Sequence, residues 1–189
     1  MKKILMIAAM MVAVMSVNAQ EAGQTYLKVM FGGAYTNVTG GEDTKMKVGA
    51  VVGPEVGYMV SNKFALSAGL QYAMQGNKVK DEIDGTFKNN LEYLNIPVLA
   101  NFYVTPEIVL KAGVQVGYLV RAKSDGASFR DDCNKVDFSI PLGISWEQKD
   151  GWVIEARYNL GLTNVMKKDI VGKNNHNSVI MVSLGYKIK

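Results

Sequence analysis

Apolar and polar residues alternate one for one along most of this chain. The cleanest run lies between residues 108 and 121. Ile108, Leu110, Ala112, Val114, Val116, Tyr118 and Val120 share one face, and Val109, Lys111, Gly113, Gln115, Gly117, Leu119 and Arg121 share the other. A period of two is a strand with two unlike faces. The run is about twice as long as the usual ~5–6 residues of a soluble strand. At ~3.3 Å per residue and a ~40° tilt it is long enough to cross an outer membrane, with its apolar face to lipid and its polar face to a lumen.

Eight runs of this kind follow one another, at roughly 26–36, 47–60, 63–75, 91–104, 108–121, 135–147, 152–162 and 177–188. The polar face is small or charged, as the interior of a narrow barrel requires. The fourth run also turns Leu91, Tyr93 and Leu99 inward, which predicts a partly apolar lumen. Connections alternate in length. Ser61-Asn62, Thr105-Pro106-Glu107 and residues 148–151 are tight, whereas 37–46, 76–90, 122–134 and 163–176 are long and rich in Gly, Asn, Asp and Lys. The pattern predicts an all-β fold, an eight-stranded antiparallel up-and-down transmembrane β-barrel, with both termini in the periplasm and four long loops outside. The competing fold, a soluble calycin-type barrel, would turn the apolar face inward.

Aromatic residues supply a separate test. On the outward face, Tyr58, Phe64, Phe102, Trp146, Trp152 and Tyr186 fall near the short-turn end, and Tyr35, Tyr72, Tyr118 and Phe138 near the long-loop end. Two belts are expected where amphipathic rings meet headgroups on both sides of a bilayer. Pro54, Pro97 and Pro141 lie inside runs that should be fully hydrogen-bonded. Each implies a missing ladder bond or a bulge. Because the face pattern resumes in phase after each proline, local loosening is expected rather than a register shift.

The first residues change the picture of the chain but not of the fold. Met1-Lys2-Lys3, an apolar run from Ile4 to Met15, and small residues Val17 and Ala19 read as a secretory signal peptide over 1–19, leaving a barrel domain over 20–189. Removing Lys2 and Lys3 lowers the formal net charge from +4 to +2, a balance that gives no reason to invoke nucleic acid. With Cys133 the one cysteine, no intramolecular disulfide can form. In its setting Arg130-Asp131-Asp132-Cys133 it reads as an exposed thiol.

Candidate chemistry is confined to inward charges. Lys28, Glu55, Lys111, Asp137, Glu147, Glu155 and Arg157 all count inward, and Lys28, Glu55, Lys111, Glu155 and Arg157 form the expected lumen charge network. Buried charges must pair. Lys111 needs a carboxylate across the barrel, either Glu55 or Glu155. A gated ion path through the same residues is the alternative reading, and a catalytic carboxylate a more remote one. His176, the one histidine, shares a face with Ser178 by alternation and raises a lipid-hydrolase pair; the plain reading is a solvated histidine at a loop base. One His and one Cys far apart make no zinc site, so no catalytic residue, metal or cofactor is expected. Gly32-Gly33, Gly40-Gly41 and the Gly49–Gly53 spacing lack the strand–loop–helix context of a phosphate cradle.

Several segments together carry a resemblance. These are Tyr93-Leu94-Asn95-Ile96-Pro97-Val98-Leu99, Leu110-Lys111-Ala112-Gly113 with Val116-Gly117-Tyr118-Leu119, Glu155-Ala156-Arg157-Tyr158-Asn159-Leu160-Gly161-Leu162-Thr163-Asn164, and Ser183-Leu184-Gly185-Tyr186-Lys187. In this order they resemble the PorT-like outer-membrane β-barrel family of Bacteroidetes, whose members are often labelled porin family proteins. The resemblance implies an eight-stranded barrel and no particular activity. Barrels of this kind commonly end on an aromatic residue used in assembly, whereas this chain ends Tyr186-Lys187-Ile188-Lys189. The expectation is a small, non-enzymatic barrel in the outer membrane of a Gram-negative bacterium. It would act structurally or through its external loops; a narrow low-conductance pore is the alternative and an outer-leaflet lipid-modifying enzyme a further one. Expected partners are outer-membrane lipid, the barrel-assembly machinery and a loop-binding partner of unstated identity.

Overall fold

The computed structural model describes residues 22–39, 44–81, 85–124, 127–167 and 174–188. The expected signal peptide and the tips of the long loops lie outside them. Among the described residues ten strands occur in chain order: β1 (Thr25–Val38), β2 (Thr44–Ser61), β3 (Phe64–Gly69), β4 (Gln71–Asp81), β5 (Gly85–Tyr103), β6 (Ile108–Ser124), β7 (Ala127–Ser128), β8 (Val136–Glu147), β9 (Trp152–Asn164) and β10 (His176–Ile188). β3 and β4 are two halves of one stave, and β7 is a two-residue fragment on β6. The remaining pairings are antiparallel and close a ring of eight staves, β1 meeting β10.

The register gives the ring its shape. Val109 pairs with Ser145, and the row continues through Glu155, Ser183, Gly32, Val51, Ala73 and Tyr93 to Leu119. One circuit therefore returns to β6 ten residues further on. With ~3.3 Å per residue and ~4.8 Å between strands, that offset tilts the strands by roughly 40° and sets a backbone radius of roughly 8 Å. Side chains fill such an interior.

The faces divide as the alternation demands. Along β6, Leu110, Val114, Val116, Tyr118 and Val120 are exposed, while Val109, Lys111, Gln115 and Leu119 are buried. Apolar residues outside and charges inside invert the order of a soluble protein, and a contiguous apolar exterior of this size marks a lipid-facing surface. From Leu110 to Val120 it climbs roughly 25 Å along the axis, the height of a bilayer's apolar band.

The structure corrects the sequence at four places. Of residues 76–90, expected as a loop, 76–81 and 85–90 continue as strand, with β4 and β5 paired out to Asp81 and Gly85. The third run is broken at Leu70. Its backbone N–H reaches the Pro54 carbonyl at 3.0 Å, but the proline nitrogen has no proton to return. Pro97 stands on the other side of the break, where a Cβ on Gly69 would lie 3.2 Å from its ring. The strand phase is the same on both sides of Pro54, and pairing of β6 with β8 lapses around Pro141 and resumes in phase.

Arg121 is the third correction. It was counted inward, but a bulge between Glu92 and Tyr93 leaves Val120 as an extra residue. The phase of β6 slips by one, and Arg121 turns outside to pair with Glu92 at 3.4 Å. Cys133 is the fourth, buried rather than exposed.

The short turns are built locally. The Thr105 hydroxyl accepts the backbone N–H of Ile108 at 2.9 Å, closing the β5–β6 turn. Gly151 supplies the positive φ (+96°) needed between β8 and β9.

Candidate functional site

Two constructions stand out, one in the lumen and one over its long-loop mouth. The lumen set occupies the short-turn half. Lys28 and Glu55 are cross-strand partners and stand 3.9 Å apart. Lys111 reaches across to Glu55 at 3.2 Å and also bonds Glu155. Arg157 bridges the same two carboxylates through Nη2, 3.3 Å from Glu55. All five residues named from sequence thus lie in one contiguous cluster, and Lys111 takes both of its candidate partners.

Glu147 extends the cluster downward. Its carboxylate bonds Lys28 and takes Lys187 at 2.8 Å. Lys187 also donates to the Tyr103 hydroxyl at 3.1 Å and lies over the Tyr26 ring, 4.4 Å from its centroid. Lys28 approaches the same ring at 4.8 Å. The Tyr26 ring rests on Gly57, where a Cβ would lie 2.0 Å from it. Tyr26, Met59, Ala65, Tyr103 and Val109 close the lumen below the charges.

Lys187, Tyr26 and Tyr103 were missed from sequence. The signal existed: Tyr186 and Ile188 count outward, which forces Lys187 inward, and Tyr26 shares the phase of Lys28. Asp137, also counted inward, is buried but stands apart from the cluster, near the opposite mouth beside Asn177. His176 and Ser178 are not joined. The Ser178 hydroxyl lies 3.2 Å from that of Tyr158, and a register irregularity separates it from His176.

Above the charges two apolar groups stand in the lumen. Ala34, Val51, Ala73, Val179 and Met181 pack on one side at mid-height. At the long-loop mouth Val38, Leu91, Tyr93, Leu119, Ala122, Cys133 and Val165 form an apolar cap. The loops after β6 and β9 join over it. Asn134 N–H donates to Val165 O at 2.8 Å, Lys167 N–H to Asp132 O at 3.0 Å, and Cys133 faces Met166 in a one-residue bridge. Burial, aided by the Asp132 charge, pushes the Cys133 thiol up to about 11.

On the exterior, Tyr58, Phe102, Trp146, Trp152 and Tyr186 are exposed near the short turns, with Phe64 half-buried among them. Trp152 and Tyr186 meet edge to face at 5.6 Å. Tyr35, Tyr118 and Phe138 are exposed, and Tyr72 half-buried, near the other end. From the tilt and register the two rows stand roughly 20 Å apart along the axis. Phe31 and Tyr158, also outward, lie between the rows and belong to neither belt expected from sequence.

Comparison with known proteins follows from this geometry. Residues 18–167 match the family described as outer membrane protein beta-barrel domain. No curated protein sequence matches the chain. Among solved structures, the fold is similar to Ail, the attachment invasion locus protein of Yersinia pestis, at a TM-score of 0.53 and 16% identity over 88% of this chain and 99% of that one. It is also similar to Neisserial surface protein A, at a TM-score of 0.54 and 14% identity over 87% and 96% of the two chains. At these identities the likeness is one of fold.

Proposed function

Because the chain belongs to the outer membrane protein beta-barrel domain family, resident in the outer membrane of Gram-negative bacteria, we propose that it is a closed barrel whose work is done by its external loops. In this reading the signal peptide over 1–19 is removed, both termini lie in the periplasm, and the barrel-assembly machinery inserts the domain over 20–189. The PorT-like resemblance fits the same picture.

One observation carries the reading. The lumen is occupied at both ends, by the charge cluster with its tyrosine floor and by the cap under the joined loops, and is narrowed between them by the mid-height apolar group. Solutes would have to displace paired, buried charges to pass. The described parts of the loops after β6 and β9, by contrast, are joined to each other by backbone hydrogen bonds. Joined loops of that kind suit recognition of another molecule.

Two measurements test it. Planar-bilayer recordings of the purified barrel are expected to show no conductance steps beyond a detergent control; reproducible steps from the intact barrel would establish the pore reading instead. Exchange of each long loop for that of an unrelated barrel is expected to abolish partner binding for the 129–134 or 164–175 segment while leaving folding intact.

A further inference from the structure

Outside the lumen, the register sets three lysines in one row. Lys45 of β2 pairs with Lys78 of β4, and Lys78 with Lys88 of β5. Cross-strand partners share a face. Lys78 and Lys88 alternate with Asn77 and Asn89, which are bonded to each other at 3.1 Å, and Asn77 is buried. The row therefore points away from the lumen.

Like charges directly opposite each other destabilise a sheet, and here two such contacts occur in succession. None of the three lysines has an ion-pair partner among the described residues. The row stands roughly 10–15 Å above the level of Tyr72 and Tyr118. Beneath it the exterior is apolar, with Val52, Met74 and Leu94 exposed, and Arg121 lies between, turned out by the β6 bulge. A positive rake directly above a lipid-facing wall is complementary to one arrangement, an anionic headgroup whose acyl chains lie along that wall.

We propose that Lys45, Lys78 and Lys88 bind the phosphorylated sugar headgroup of an outer-leaflet glycolipid. The ammonium groups act as point charges on the phosphates, and binding relieves the repulsion within the row. This rests on the reading that the long loops face outside.

The test uses the full barrel in phosphatidylcholine nanodiscs, titrated with phosphorylated lipopolysaccharide, the same lipid after phosphatase treatment, and inorganic phosphate. At about 1 kcal/mol for each lysine near an anionic surface, every substitution to Gln costs about fivefold in affinity, and K45Q/K78Q/K88Q together about a hundredfold. Phosphatase-treated lipid is expected to bind wild type and triple variant alike. Equal binding of intact lipid by both proteins overturns the proposal, as does inorganic phosphate competing as well as lipid, which would make this a soluble-anion site. In nanodiscs without glycolipid the triple variant is expected to be more stable than wild type; a purely structural role would change stability with no dependence on lipid phosphate. Orientation is read separately, by labelling Lys88→Cys in a Cys133→Ala background in intact cells with an impermeant maleimide. Label only after the outer membrane is breached would overturn the outward-loop reading while leaving the nanodisc result interpretable.

Discussion

The ammonium of Lys28 bonds the carboxylate of Glu147, which arrives from a strand three places round the ring, while its own cross-strand neighbour Glu55 stands 3.9 Å away. Most of the lumen ion pairs thus tie separated walls together; Lys28–Glu55 joins adjacent strands and Arg157–Glu155 lies within one. Local hydrogen bonding already joins neighbours; these pairs fix the cross-section.

Glu147→Ala removes the carboxylate that Lys28 and Lys187 share in a buried setting. Removing one partner of a buried pair typically costs about 3–5 kcal/mol. Urea unfolding in lipid vesicles is expected to show a loss of that order. The double substitution Glu147→Leu with Lys28→Met is expected to recover part of it, because two charges are removed together. A single-variant loss under about 1 kcal/mol would mean the cluster is wet and weakly coupled.

Arg157→Lys is not a conservative change here. Arg157 touches Glu55 and Glu155 through Nη2, at the far end of its planar group, a reach that the shorter lysine stem does not reproduce. The expected loss is about 1–3 kcal/mol in the same unfolding assay.

Gly57→Ala places a methyl inside the Tyr26 ring. Overpacking of this kind costs about 1–3 kcal/mol. The double variant Gly57→Ala with Tyr26→Leu is expected to lose less than the sum of the two single changes, since the clash disappears with the ring. Strict additivity would show that the ring does not rest on Gly57.

Deleting Val120 removes the extra residue of the bulge and leaves Leu119 inward, Arg121 outward and Ala122 inward. The deletion is expected to fold with stability within about 1 kcal/mol of wild type. Deleting Val114, in contrast, reverses the faces of half a strand and is expected to abolish assembly. Heat-modifiable migration on gels separates the two outcomes.

Cys133 is expected to resist maleimide. With its thiol pushed up to about 11 and the side chain buried, roughly one molecule in a thousand is thiolate at pH 8. Labelling should be slow in the folded protein, faster as pH rises toward 11, and rapid after unfolding. Fast labelling at pH 7 would show that the two joined loops separate readily.

The period-two pattern carried the eight staves, their faces and the inward position of the five charged residues, because a closed sheet with unlike faces leaves no other phase. It failed where the backbone departs from that period. Arg121 was placed inside because a bulge leaves no mark on an alternating count until Val120 and Arg121 both prove to face out. Pro54 and Pro97 signalled trouble individually; that they flank one break at Leu70 depends on register, which is a three-dimensional fact. The 76–90 segment lacks a regular apolar face, with Val79 and Phe87 among polar residues, so its strand character in 76–81 and 85–90 shows in pairing and not in alternation. Cys133 lies among charges in sequence, but the fold lays Val165 and Met166 against its loop. Lys187 could have been found by the same count that placed Tyr186, had it not been read as part of the chain's end.

The bridge between the loops after β6 and β9 has a mechanical consequence. A tether gripping residue 131 pulls on β6 directly and on β9 through Lys167 and Val165, with β8 held between them. Tension applied at the long-loop end is therefore shared by three neighbouring staves along their length, in shear, the direction in which ladders of hydrogen bonds yield last.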